Sequence, residues 1–235
     1  MSKFVIDQSF WDLFPEATIG VLLLKDYTNS EESPQELVDM LAESNRIAAK
    51  YITEEVFSEN RVVKVWRDAF KKFKIKKGAR CSIENLIKRS QGDNPAHTIN
   101  PLVDIYNSAS LRYGLPVGSE DMDTFVGDIR LTLTEGGDEF YLIGEEENNP
   151  SLPGELVYKD DAGAVCRCFN WRDGQRTMIT DKTKNAFMII ENLEPDRVGD
   201  LKELMNFVRD NAEKYLDAKV EMKILDTNER EMLIK

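Results

Sequence analysis

With 235 residues and 41% hydrophobic content, the chain can bury a core without disulfides or metals, and its eleven Phe, seven Tyr and three Trp exclude a disordered polymer. The net charge of −12 excludes a surface that binds nucleic acid everywhere. No apolar run reaches the roughly 18–20 residues that cross a bilayer, the chain start lacks an export signal, and the three cysteines fit reduced thiols. A single soluble, cytoplasmic domain over residues 1–235 is expected.

The pattern predicts a buried strand at 19–24, an apolar run too short for a helix of its own. Ser33-Pro34-Gln35-Glu36 has the form of a capping box, which predicts a helix to about Tyr51 with Leu37, Leu41 and Ile47 inward. Val62, Trp66, Ala69, Phe70 and Phe73 share one face of a second helix over 61–73, and Ser82 is placed to cap a third through Arg89. Residues 61–89 hold eleven Lys/Arg against Asp68 and Glu84, about +9, which leaves about −21 elsewhere. This stripe is either a local phosphate contact or a solvated helix face.

Asn100 caps, and Pro101 begins, a further helix that Gly114 ends and Pro116 prevents from resuming; 116–121 is expected as a turn. Strand spacing then takes over at 129–133, with short strands expected at 139–143, 155–158, 164–170, 176–180 and 187–191. A long amphipathic helix over 197–216 and a strand at 220–224 complete the core at 196–235. Helices first and strands after predict an α+β fold, with the N-terminal helices packed on a mostly antiparallel central sheet.

Much familiar chemistry is missing. His97 is the only histidine, so neither a histidine metal cluster nor a Ser–His–Asp triad is expected. Cys166 and Cys168 lack the two-residue spacing of a redox or zinc pair and, in a strand, would pack on one face. There is no phosphate loop or dinucleotide fingerprint, so no cofactor is expected.

The segment 100–123 carries more information. Leu102, Ile105, Tyr106, Ala109 and Tyr113 share one helix face, and Asp104, Asn107 and Leu111 another. A helix apolar on most sides keeps Asn and Asp where they are hydrogen-bonded or functional. Asn170-Trp171-Arg172, at a strand end, either floors a pocket with Trp171 and offers Arg172 to a carboxylate or phosphate, or is a strand cap with a packed Trp.

With its order Asn100, Val103-Asp104, Asn107, Gly114 and Pro116, this segment resembles the editing domain of the phenylalanyl-tRNA synthetase beta subunit. The freestanding version of that domain is similar too. It has a Trp-containing helix with a basic link (Val65 to Phe70), Leu142-Ile143-Gly144, a Pro-Gly-Glu-x-Val-Tyr run from Pro153 to Tyr158, Cys166-Arg167-Cys168 and Asn170-Trp171-Arg172. The resemblance covers about residues 5–195.

It implies a fold with a pocket beside a central sheet, and an activity: in the synthetase this domain hydrolyses tyrosine wrongly esterified to phenylalanine tRNA. A freestanding copy would be a trans-editing factor for misacylated aminoacyl-tRNA, working by a positioned water and no triad. The alternative is a non-catalytic module that binds an amino acid or tRNA. A third reading is an acidic surface that recruits an aminoacyl-tRNA synthetase. No DNA and no membrane partner is expected.

Substrate-pocket residues carried over are Asn100, Asp104, Asn107, Pro116, Gly118, Gly144, Arg167, Asn170, Trp171 and Arg172. Arg67, Lys71, Lys74, Lys76, Lys77 and Arg80 would contact the tRNA acceptor end. The family pattern has a histidine shortly after the turn proline, where this chain has Gly118. Its specificity carboxylate would fall near Asp160 or Asp161, and catalytic residues are left unassigned.

Overall fold

A computed structural model describes residues 2–234. The chain runs β1 (Lys3–Ile6), α1 (Gln8–Leu13), β2 (Thr18–Lys25), α2 (Gln35–Ile47), α3 (Arg61–Ala69), α4 (Ser82–Ser90) and α5 (Pro101–Tyr113). There follow β3 (Val117–Asp121), β4 (Ile129–Leu133), β5 (Leu156–Asp160), β6 (Gly163–Arg167), β7 (Arg172–Asp173), β8 (Ala186–Asn192), α6 (Val198–Leu216), β9 (Lys219–Leu225) and β10 (Glu231–Leu233). Among the described residues no helix is long and apolar enough to cross a membrane.

The fold is α+β, and its strands form two sheets where one was expected. One has the order β10-β1-β4-β5-β6-β7, antiparallel except for the β1–β4 pair; the other, β3-β8-β2-β9, is antiparallel throughout. Strand β2 explains the layering. Its apolar run is continuous because both faces are buried. Ile19, Val21 and Leu23 join the core shared with the six-stranded sheet. Leu22 and Leu24 join the core beneath α5 and α6. A Cβ at Gly20 would lie 2.8 Å from Met205 Sδ of α6, so glycine lets that helix come close.

Helix α5 follows its predicted caps. Asn100 Oδ1 accepts from Val103 N–H at 3.0 Å, and Gly114 ends the helix at φ +62°. Other expectations are corrected. The box at Ser33 does not form: the helix starts at Gln35, and Ser33 donates instead to Asp104 at 2.5 Å. Helix α3 stops at Ala69, and Cys81, not Ser82, precedes α4. The turn expected at 116–121 is strand β3, paired with β8. Residues 139–143 contribute only a bridge from Leu142 to Gly174, and 176–180 only a bridge from Met178 to Glu120 beside a 3-10 turn. The strand expected through Asn170 ends at Arg167, because Cys168 (φ +48°) and Phe169 (φ +66°) turn left-handed. Strands β1 and β10 and helix α1 were too short to show a period in the sequence.

Candidate functional site

The two sheets leave a cleft between them. From the four-stranded sheet, alternation sends Gly118 and Glu120 of β3, and Phe187, Ile189 and Glu191 of β8, to one face. From the other sheet come Ile129, Tyr158, Val165 and Cys166, joined by Asp173. Asn170, Trp171 and Ser82 close the end. The cavity between them is small, ≈ 50 Å³.

The walls are apolar, but three carboxyl groups enter. Glu120 is 3% exposed, and its carboxyl oxygens make no well-formed hydrogen bond among the described residues, although Thr177 and Asp173 adjoin them. Glu191, 2% exposed, accepts from Tyr158 Oη at 2.8 Å and from Asn170 Nδ2 at 3.4 Å. Asn170 Oδ1 is buried without a partner among the described residues. Desolvation raises all three acids: Glu191 to about 8, Glu120 well above the ordinary carboxylate range, with Asp173 adding repulsion, and Asp173 upward as well. Burial likewise pushes up the Cys166 thiol and the Tyr158 hydroxyl. Among the described residues no Lys, Arg or His lines the cleft. Among the described residues no group of three or more His, Cys, Asp or Glu is arranged to hold a metal ion.

The left-handed pair Cys168-Phe169 builds the mouth. Such backbone outside glycine is strained and needs support from its surroundings. Here Phe169 N–H donates to Leu156 O at 2.7 Å, and Phe169 packs on Phe10, Phe14, Trp66 and Tyr158. The reversal delivers Asn170 and Trp171 to the cleft, and Ser82 N–H holds Asn170 O at 3.0 Å. Across Trp171, Ser82 and Val117 the cleft meets a shallower outer groove lined by Asn85, Arg89, Asn107 and Arg172. Lys76 Nζ sits 5.5 Å over the Trp171 ring. An acidic interior therefore opens beside a basic rim.

Of the residues expected in the pocket, Gly118, Asn170 and Trp171 line the cleft, and Asn107 and Arg172 line the outer groove. The structure does not bring the others there. Asn100 is a helix cap. Asp104 is buried and accepts from Ser33, Thr98 and Ile99 N–H, tying the loop before α5 to the start of α2. Pro116 is buried just before β3. Gly144 lines a separate hollow with Tyr141 and Arg176. Arg167 is 1% exposed and forms a bidentate pair with Glu155 at 2.7 and 2.9 Å. Cys168 faces that same Glu155, away from Cys166, because the strand has already ended. Asp160 is paired with Arg176 at 2.6 Å and Asp161 is exposed, so neither supplies a cleft carboxyl.

Part of the basic stripe is neutralised. Arg67 pairs with Glu84, Arg80 lies 3.9 Å from it, and Lys71 pairs with Asp68. Lys76 donates to Asn149 at 2.8 Å. Lys74 and Lys77 are exposed and make no ion pair among the described residues. His97 is exposed, 3.3 Å from Arg89 and outside the cleft.

Sequence reasoning missed Glu120, Asp173 and Glu191. A signal existed for Glu191: it is a charge in phase with Phe187 and Ile189 in an apolar run. Glu120 gave none, because the residues of β3 have the composition of a turn.

Fold and site together define an α+β domain of two stacked sheets with a small cleft between them into which three carboxyl groups point. The sequence profile of the B3/4 domain family matches residues 65–227, most of the chain, and the protein belongs to that family. The phenylalanine–tRNA ligase beta subunit of Psychrobacter arcticus is 39% identical over 90 residues, which are 38% of this chain and 11% of that one. That of Fusobacterium nucleatum is 28% identical over 124 residues, 53% of this chain and 15% of that one. The chain thus spans a small part of the length of these relatives. An N-terminal fragment of the phenylalanyl-tRNA synthetase beta subunit from Pyrococcus horikoshii covers 92% of this chain and 49% of its own, at 11% identity and a TM-score of 0.47.

Proposed function

We propose that the protein is a trans-editing factor that hydrolyses misacylated aminoacyl-tRNA, with the amino acid in the inter-sheet cleft and the tRNA end across Trp171. The observation that carries this reading is the chemical contrast between the two sides of that ring. The cleft presents carboxyls and apolar walls, suited to an amino acid, while Arg172, Arg89 and Lys76 at the mouth suit phosphates. Similarity to phenylalanine–tRNA ligase beta subunits supports a link to tRNA or to a synthetase. Water attacks the ester carbonyl, and the products are free amino acid and a tRNA with its ribose hydroxyl restored. An aminoacyl ester is already activated, so holding water in line supplies much of the rate. A Cβ at Gly118 would meet nothing within 4 Å, so this position leaves room in the cleft for substrate and water.

The test is deacylation of a panel of mischarged tRNAs by the purified protein. Turnover above buffer on at least one is expected, and none on any would remove the hydrolase. The second reading, a module that binds an amino acid or tRNA without chemistry, is favoured by glycine at the family histidine position and by His97 lying outside the cleft. A ligand that raises the unfolding temperature without any deacylation would establish it.

A further inference from the structure

We propose that the deep end of the inter-sheet cleft is a site for a primary ammonium carried on an apolar stem. This rests on the cleft being the binding site of the function above, but not on hydrolysis.

The argument begins with unmet hydrogen-bonding capacity. Among the described residues Asn170 Oδ1 is buried without a partner, and the Glu120 carboxyl oxygens make no well-formed hydrogen bond although Thr177 and Asp173 stand beside them; such acceptors are nearly always satisfied in folded proteins. Asp173 stands beside Glu120, and Glu191 lies on the far side of Asn170. The basic side chains near the cluster are engaged or face elsewhere: Arg176 is paired with Asp160, and Arg172 lines the outer groove. The cluster thus offers acceptors and acidic groups with no cation among them.

An ammonium brings three donors and no acceptor, which matches the unfilled set. A hydroxyl brings a single donor and leaves the other acceptors unfilled. A metal ion does not fit, since the described residues hold no suitable ligand group. The remaining walls, Val117, Ile129, Val165, Phe187 and Ile189, suit an alkyl stem.

Binding should also move protons. The titratable groups facing the site are Glu120, Asp173, Glu191, Tyr158 and Cys166, and burial holds all of them toward their protonated forms. A cation drawn among them favours the carboxylate form and expels a proton. The ammonium has two possible sources, the α-amino group of an amino acid or an amine-bearing side chain.

Calorimetric titration near neutral pH, in two buffers of different ionisation heat, tests the proposal with n-pentylamine against 1-pentanol, its neutral isostere. The amine should bind at least ~10-fold tighter and release protons, and Glu120→Gln should weaken it ~10-fold, as expected for losing a charge-assisted hydrogen bond. Norleucinamide, with only an α-ammonium, and Nα-acetyl-lysinamide, with only a side-chain ammonium, separate the two sources. Equal binding of 1-pentanol, no binding of any amine, or full amine affinity in Glu120→Gln would each overturn the proposal. The amine–alcohol comparison uses the unaltered protein, so it does not depend on the variant folding. Amine binding without deacylation of any mischarged tRNA keeps this site and removes the hydrolase; deacylation without amine binding does the reverse.

Discussion

Burial lifts the Glu191 carboxyl to about 8 from an ordinary 4.5, and this makes the cleft a source of pH-dependent stability. A carboxyl raised in the folded state favours the protonated fold. Its contribution is whole below about pH 4.5 and is lost as pH rises towards about 8. Glu120 and Asp173 are raised by burial too and act in the same direction. The unfolding temperature should therefore fall from about pH 5 to about pH 8. Glu191→Gln should flatten that slope and unfold above the parent at the alkaline end; an unchanged slope would assign the titration to other groups. Asn100 shows the opposite kind of residue, polar and buried but structural. Asn100→Ala should cost about 1 kcal/mol in urea unfolding through the lost cap, with cleft ligands binding as before. A loss of ligand affinity without a loss of stability would return Asn100 to the site.

Among the elements, β2 and α6 test how tightly the layers are packed. Alanine at Gly20 would place its Cβ 2.8 Å from Met205 Sδ and 2.9 Å from Leu201 Cδ1. Gly20→Ala should then destabilise by about 1–3 kcal/mol, as overpacked cores do, measured by chemical denaturation. A negligible change would mean that α6 shifts freely on the sheet. The sequence carried β2 and α5 plainly, because a doubly buried strand writes an apolar run and a capped helix writes Asn-Pro and Gly at its ends. It carried β3 poorly. Val-Gly-Ser-Glu-Asp after a proline has the composition of a turn, and only pairing with β8 makes it a strand. Since β3 brings Glu120 into the cleft beside Gly118, losing that strand hid Glu120. The mouth was legible as the motif Asn170-Trp171-Arg172, but the left-handed pair that aims it is a tertiary effect with no glycine to announce it. Asp104 misled because a buried acid reads alike whether it bonds a ligand or its own loop.

At the scale of the whole molecule, a chain of net charge −12 must bind nucleic acid through a small footprint if it binds it at all. The basic stripe looks extensive in sequence, yet Arg61 is held by Glu194 and Asp196, Lys64 and Lys71 by Asp68, and Arg67 by Glu84. Charges committed to neighbouring acids displace few counterions from a phosphate backbone. Lys74 and Lys77 are free of such pairs among the described residues. The 74–77 stretch also reaches the cleft mouth, where Lys76 overlies Trp171. On the proposed function, binding of a single-stranded acceptor-end RNA should therefore weaken with salt by a log–log slope of only about −1 to −3, at roughly −0.7 per phosphate neutralised. The double change Lys74→Ala, Lys77→Ala should make that slope shallower by about 1.4, while Arg67→Ala should leave it nearly unchanged because Glu84 already neutralises that charge. Fluorescence anisotropy across a salt series reads all three slopes. A steep slope unaffected by the lysines would place the RNA on another face and detach the acidic cleft from it.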